Sequence, residues 1–239
     1  MRIRLSLRFF RQSCCTLILC LAALAGCVDH EPQQRAAFIQ FLQSRVVAAP
    51  GALVRPPSDD ERRALGGYDR QYEVIEDFQQ TLRAGMADLD QALGALTLHS
   101  LGEVAARAVQ FDSLRARLAR SRQALERARV RADEDRAALL QADDLKQAYA
   151  PAYHKAVTEP AAVLLALYPL IDDTLGDAQR VAAYAQAHAG QLLVDGALAQ
   201  VKDPSVQAQF NTLLAQLNGR SGDIDAAARQ LRALGPPAP

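Results

Sequence analysis

Trp is absent, Met occurs twice, and aromatic residues make up 5% of the 239 positions. Large sheets draw on aromatic and β-branched side chains, so this scarcity argues against an all-β design. Neither sign of charge dominates: 27 Lys and Arg balance 27 Asp and Glu. With half the residues hydrophobic and 23% charged, the composition is that of a globular chain. It excludes global disorder and a multispan membrane protein. HExxH, GxSxG, a phosphate-binding loop and a dinucleotide fingerprint are all missing, so no common catalytic motif can be placed. Cysteine is scarce too, with three of the four within the first 20 residues.

What is present begins with an address. Arg2, Arg4, Arg8 and Arg11 form a basic start with no acid, followed by an apolar run from Cys14 to Ala25. That run is too short for the roughly 20 residues of a spanning helix and reads as a secretory signal. It closes on Leu24-Ala25-Gly26-Cys27, a sequence resembling a bacterial lipobox. In proteins with that motif, cleavage falls before the cysteine, and fatty chains are attached to its sulfur and new amine. Residues 1–26 are therefore expected to be removed and 27–31 to act as a tether. A single helical domain is expected over 32–235, with a disordered tail at 236–239. Cleavage removes four arginines and three cysteines, leaving a net charge of −4 and one blocked thiol. A disulfide and a catalytic thiol are then both ruled out. Two or three acyl chains anchor a protein stably, because each buried methylene contributes about 0.8 kcal/mol. Val28 follows Cys27 where an Asp favours inner-membrane retention, so the periplasmic face of the outer membrane is the expected address. Asp29, one position later, leaves the inner membrane as the alternative. Pro239 cannot serve as the terminal lysine by which some such lipoproteins join peptidoglycan.

The mature chain reads as mainly α. Pro32 suits a first helical turn, and Phe38, Ile39, Phe41, Leu42, Val46 and Val47 supply an apolar face. Pro50 to Ser58 reads as a loop. Ser58 with Glu61 forms a capping-box pattern for a short helix closed by Gly66-Gly67. Tyr68, Tyr72, Ile75, Gln79, Leu82, Met86, Leu89, Leu93 and Leu96 then follow a heptad seam in which only Gln79 is polar. A second, weaker seam runs from Val104 through Phe111, Leu118 and Leu125 to Ala142. It predicts one helix near 40 residues long, about 60 Å, begun by Ser100 and Glu103. Two such helices form a coiled-coil-like antiparallel hairpin in an elongated bundle.

Asp143 and Asp144 read as caps of a helix over Leu145 to Val157 that bends at Pro151. Thr158 and Pro160 read as a fresh helix start, and Pro169 as a break or kink in a segment ending near Gly190. Leu192 to Val201, centred on Asp195-Gly196, fits either a two-residue β-hairpin or a frayed helix. Asp203-Pro204 begins a helix ending at Asn218-Gly219, and Asp223 reads as the cap of a last one.

Cys27-Val28-Asp29, Gln34-Arg35, Ala37-Phe38-Ile39 and Phe41-Leu42-Gln43 resemble the mature start of the proteobacterial lipoproteins of domain of unknown function 3053. Asp143-Asp144-Leu145-Lys146, with Lys155, Val157 and Pro160, is similar to that family's central motif. The Asp195-Gly196 turn and the Asp203-Pro204 helix match its C-terminal layout. The resemblance covers the mature chain, implies an envelope lipoprotein, and brings no catalytic residues.

Arginine is the conspicuous functional candidate. Arg115, Arg117, Arg120, Arg122, Arg127, Arg129, Arg131 and Arg136 fall within one predicted helix, with a local charge of about +4. A solvated face with local ion pairs explains them. So does an anion surface centred on Arg115, Arg120, Arg122, Arg127 and Arg129, facing lipid phosphate or an acidic partner. Nucleic acid is not expected, since no aromatics interleave with the arginines and an exported lipoprotein rarely meets it. The acid pairs Asp59-Asp60, Asp143-Asp144 and Asp172-Asp173 read as caps or as residues pointing apart. His30, His99, His154 and His188 lack metal-ligand spacing, so neither metal nor cofactor is expected. Tyr68 with Tyr72, and Tyr149 with Tyr153, read as core packing. The sequence thus points to a non-catalytic, membrane-anchored envelope protein that binds or scaffolds envelope proteins or anionic lipid. The alternative is a carrier or sensor holding an envelope lipid or other ligand between its helices, and an envelope hydrolase stands third.

Overall fold

A computed structural model describes residues 30–97, 101–195, 198–201 and 203–235. Cys27, His99, Ser100 and the tail from 236 lie outside the described residues.

The chain is mainly α. Helix α1 (Glu31–Phe41) carries Pro32 in its first turn and passes without a break into a π-helical turn, Leu42–Val47. Phe38, Phe41, Leu42 and Val46 are buried, whereas Val47 is exposed. Helix α2 (Asp59–Leu65) begins with the expected reciprocal box. The Ser58 hydroxyl accepts from the Glu61 N–H, and the Glu61 carboxylate accepts from the Ser58 N–H. A 3-10 turn, Gly66–Tyr68, leads into α3 (Asp69–Leu96). Every seam position of α3 is buried or half-buried, and Phe78, Gly85, Ala92 and Ala95 are buried as well. Its apolar stripe is wider than a two-helix seam because it packs against both other long helices.

The second seam is not one helix. Helix α4 (Leu101–Ala106) stops at Arg107, and α5 (Ala108–Ala138) follows. Arg107 takes φ −96° and ψ 4° and donates from Nη1 to the Ala95 carbonyl at 3.2 Å, so tertiary bonding holds the interruption. At its other end α5 stops at an extended Leu139, leaving 31 residues, or about 46 Å. Antiparallel contact with α3 is registered by Arg117 with Gln91 and Gln141 with Gln71.

Helix α6 (Asp143–Tyr153) starts two residues before Leu145. Its cap position is Ala142, and Asp143 and Asp144 occupy the first turn, where negative charge complements the helix dipole. Nor does the chain restart at Thr158. A π-helical turn, His154–Thr158, joins α6 to α7 (Glu159–Ala187), and Thr158 itself is helical with no side-chain cap. Pro160 offers no N–H to the carbonyl four residues back, that of Ala156. That oxygen instead accepts from Gln79 Nε2 of α3 at 2.6 Å. Helix α7 also continues without a break past Pro169, antiparallel to α5, because burial on both flanks holds it. Its Tyr168 hydroxyl lies 2.9 Å from Ser121 Oγ and above Gly85. A Cβ on Gly85 would stand 2.7 Å from that hydroxyl oxygen, so α3, α5 and α7 meet closely there.

Strands β1 (Leu192–Asp195) and β2 (Leu198–Val201) pair antiparallel, with Leu192 opposite Val201. Helix α8 (Pro204–Gly219) is capped by Asp203, which accepts from the Ser205 N–H at 2.8 Å. Helix α9 (Ser221–Leu234) begins two residues before Asp223, after Arg220. Its last carbonyls receive the 50s loop, as the Ala52 N–H donates to Leu234 at 3.0 Å. Gly51 makes this approach with φ +75°; a Cβ there would collide with the Gly235 carbonyl.

Candidate functional site

Helical geometry divides the five candidate arginines into two groups. Phe111, Leu114, Leu118, Leu125 and Ala132 of α5 are buried and define its inner face. At 100° per residue, Arg115, Arg122 and Arg129 fall on the flank toward α7. Arg115 grips Asp172 with two bonds, Nε to Oδ1 at 2.9 Å and Nη2 to Oδ2 at 3.1 Å, and donates from Nη1 to Gln179 at 3.1 Å. The bonds to Asp172 raise its pKa further above the ordinary guanidinium value, against a smaller opposing effect of burial. Arg122 donates to Glu126 at 2.9 Å, and Arg129 lies 3.8 Å from Asp133. Arg115 thus ties α5 to α7, whereas Arg122 and Arg129 form partly exposed ion pairs within α5 itself.

Arg120 and Arg127 lie on the opposite face with Arg117 and Arg131, the four within about 80° of one another and spread over about 21 Å of helix. Arg117 donates to Gln91 of α3. Arg120 and Arg127 are exposed and form no ion pair or hydrogen bond among the described residues. Arg131 borders Asp77 and Asp135 in a shallow cleft of about 60 Å³. Arg136 is engaged differently, with its guanidinium carbon 4.5 Å from the centre of the Tyr153 ring. The Tyr153 hydroxyl donates to Asp133 at 2.7 Å, and burial holds its pKa well above the ordinary phenol value. Of the five candidate arginines, Arg120 and Arg127 are those with no ion pair or hydrogen bond among the described residues, and Arg131 beside them has none either.

Two of the larger depressions among the described residues are lined by charged pairs. One, about 350 Å³, runs between α5 and α7 along Leu118, Arg122, Glu126, Tyr168 and Asp172. Two of its three carboxylates are already held, Asp172 by Arg115 and Glu126 by Arg122, and the third is Asp173. The other, about 510 Å³, lies beside the first π-turn between Phe41, Leu53, Val54, Arg55 and the Arg45–Glu61 pair. Arg45 donates to one Glu61 oxygen at 2.6 and 2.9 Å. The Ser58 N–H above all, and then Arg45, lower the Glu61 pKa. Lys155 of the second π-turn reaches across to the Val47 carbonyl at 2.7 Å and to the Ala49 carbonyl, fixing this wall.

The remaining sequence candidates sit apart. Asp59 and Asp60 occupy the first turn of α2, away from the other acid pairs. His30 contacts Gln33, and His188 stacks on Tyr184 with ring centres 4.1 Å apart. Among the described residues no group of three His, Cys, Asp or Glu can hold a metal ion. The tyrosine pairs are packed: Tyr72 meets Phe41 edge-on at 5.0 Å, Tyr149 stacks on Tyr153 at 6.2 Å, and Tyr68 stacks on Phe38 at 5.6 Å. Sequence reasoning passed over Asp177, buried in α7 and paired with Arg180 and with Arg220 Nε at 3.1 Å. Its one sequence signal is an acid set within the small and apolar run Leu175-Gly176-Asp177-Ala178.

Comparison with known proteins completes the description. The model of the family described as "Protein of unknown function (DUF3053)" matches residues 15–232. The protein named "Uncharacterized protein YiaF" in Escherichia coli strain K12 is 26% identical over 204 residues, covering 84% of this chain and 85% of that protein. The proteins of the same name in Escherichia coli O157:H7 and Shigella flexneri match to the same extent. No solved structure matches. The family match takes in most of the chain, and the chain belongs to the DUF3053 family.

Proposed function

We propose that this protein is a lipid-anchored protein of the cell envelope that works without catalysis, by binding or scaffolding through the outward face of α5. The observation that carries the reading is Leu24-Ala25-Gly26-Cys27 closing a basic and apolar leader, with Cys27 as the acylated residue. Val28 after the cysteine favours the periplasmic face of the outer membrane. No helix of the described residues is long and apolar enough to cross a membrane. The recognition element is the exposed pair Arg120 and Arg127, one turn-pair apart on a rigid helix. Guanidinium groups there suit an acidic protein surface or lipid phosphate.

Labelled palmitate should enter the native chain and not a Cys27→Ser variant, and the variant should leave the membrane fraction. Crosslinking in intact cells should then capture a defined acidic partner or lipid, lost in the Arg120→Glu, Arg127→Glu double variant. Retention of every contact by that variant would remove α5 from the reading.

The groove of about 510 Å³ beside the first π-turn favours a second reading. Its apolar floor of Phe41, Leu53 and Val54, rimmed by Arg45 and Arg55, suits a ligand with an apolar body and an anionic head. A carrier would use this groove rather than space between the long helices. Lipid in organic extracts of the purified protein, lost with Arg55→Glu, is the expected signature.

A further inference from the structure

The turn between α5 and α6 presents Leu140 to solvent at 95% exposure. Both of its neighbours are held. Leu139 packs against the core, and Gln141 Nε2 donates to Gln71 Oε1 of α3 at 2.7 Å. Leu140 is thus displayed by a fastened turn. A single exposed leucine is ordinary on a protein surface. Its position is what gives it meaning.

The same end of the bundle holds the start of the described chain. Arg35 lies 3.6 Å from Asp144, four residues after Leu140, and the Tyr68 hydroxyl donates to Glu31. His30 is three residues after Cys27, at most about 11 Å of extended chain. Acyl chains at Cys27 would therefore hold this end within reach of the bilayer. The charges around the turn are mixed, with Arg131, Arg136 and Lys146 against Asp133, Glu134, Asp135, Asp143 and Asp144. Such a surface is not drawn electrostatically to an anionic membrane. An apolar side chain at its apex supplies the contact.

We propose that Leu140 seats the protein on the membrane that carries its anchor, with the 139–142 turn resting at the headgroup–acyl boundary. The proposal rests on acylation at Cys27. It gives the bundle an orientation: α5 leads away from the bilayer, and Val109, 83% exposed near its first residue, stands about 45 Å along the helix from the turn.

The absence of Trp makes the test direct. Leu140→Trp and Val109→Trp are each introduced into the full, membrane-processed chain. Each is reconstituted in phosphatidylethanolamine–phosphatidylglycerol vesicles with brominated acyl chains, and palmitate incorporation is measured on the same samples. Both positions are exposed, so circular dichroism should match the native chain. The probe at 140 should shift to shorter wavelength and lose most of its emission, while the probe at 109 should do neither. The quenching should persist in ~1 M salt, where the Debye length is about 3 Å. Palmitate incorporated without quenching at 140 would overturn the seating and leave the anchor standing. No palmitate would overturn both. Equal quenching at 109, or release of the 140 probe by salt, would also overturn the proposal, the first by laying the bundle flat and the second by making the contact electrostatic.

Discussion

Helices α3 and α5 are nearly equal in length and lie side by side, yet they are built for different surroundings. α3 buries ten residues along 28 positions, whereas α5 buries five along 31. α3 is an interior strut enclosed by α5, α7, the 50s loop and α9. α5 is an outer wall with one packed side, and it spends its other positions on arginine. A heptad seam reports that a helix has a partner, but not how many partners it has. The flanking residues Phe78, Ala92 and Ala95 carry that information, because they are apolar beside the seam rather than on it.

The difference should be largest for core volume. Phe78→Ala removes a ring that is 1% exposed and should cost about 4 kcal/mol of unfolding free energy. Val130→Ala, on the open side of α5 and 56% exposed, should stay within about 0.5 kcal/mol. Similar urea midpoints for the two would dissolve the distinction between strut and wall.

Gln79→Leu tests whether the polar centre of α3 fastens other segments. Its amide accepts from the Val54 N–H at 3.1 Å and donates to the Ala52 and Ala156 carbonyls. Depriving these groups should cost about 3 kcal/mol. Hydrogen exchange should rise first at Val54. A neutral result would make Gln79 a tolerated seam defect.

Gly85→Ala should cost about 2 kcal/mol by forcing α3 away from Tyr168. Adding Tyr168→Phe should recover part of that loss by freeing the space of the hydroxyl, despite the lost contact with Ser121. No recovery would place the strain elsewhere.

A smaller effect is expected where α2 is fastened outside both long helices. The Glu61 pKa is lowered from 4.5 in the folded protein. The stability it brings is therefore fully present above the unfolded value and lost as pH falls through the folded one. The difference between native chain and Glu61→Gln should be constant near neutrality and shrink below about pH 4.5. A gap that persists in acid would show that charge is not its source. Arg120→Glu with Arg127→Glu should change stability least, within about 0.5 kcal/mol, because neither side chain is engaged in the bundle. A large loss of stability would give the proposed binding face a structural role instead.

Some of this was legible in the chain. The capping box at Ser58 and Glu61 and the Asp203 cap are local bonds written in adjacent residues, and both form as read. The seams marked buried faces for the same reason, as periodicity is a property of the helix itself. Pro32 and Pro204 sit in first helical turns as read, whereas Thr158 with Pro160 marks no fresh start and Pro169 no break. Pro160 and Pro169 stop no helix, because burial holds α7 in place and Gln79, 77 residues from Ala156, bonds the carbonyl that Pro160 leaves. The arginines were legible as a group but not as individuals. Gripped Arg115 and ungripped Arg120 differ in having Asp172 opposite, 57 residues along the chain from Arg115.

The amino-acid sequence alone determined the class of fold and the caps at Ser58 and Asp203, since each depends on residues within a few positions of one another. Tertiary structure decided which helix lies inside, where the second seam breaks, which prolines are absorbed and which arginines remain free. Those outcomes depend on groups brought together from distant parts of the chain, where burial and a single well-placed partner outweigh local propensity.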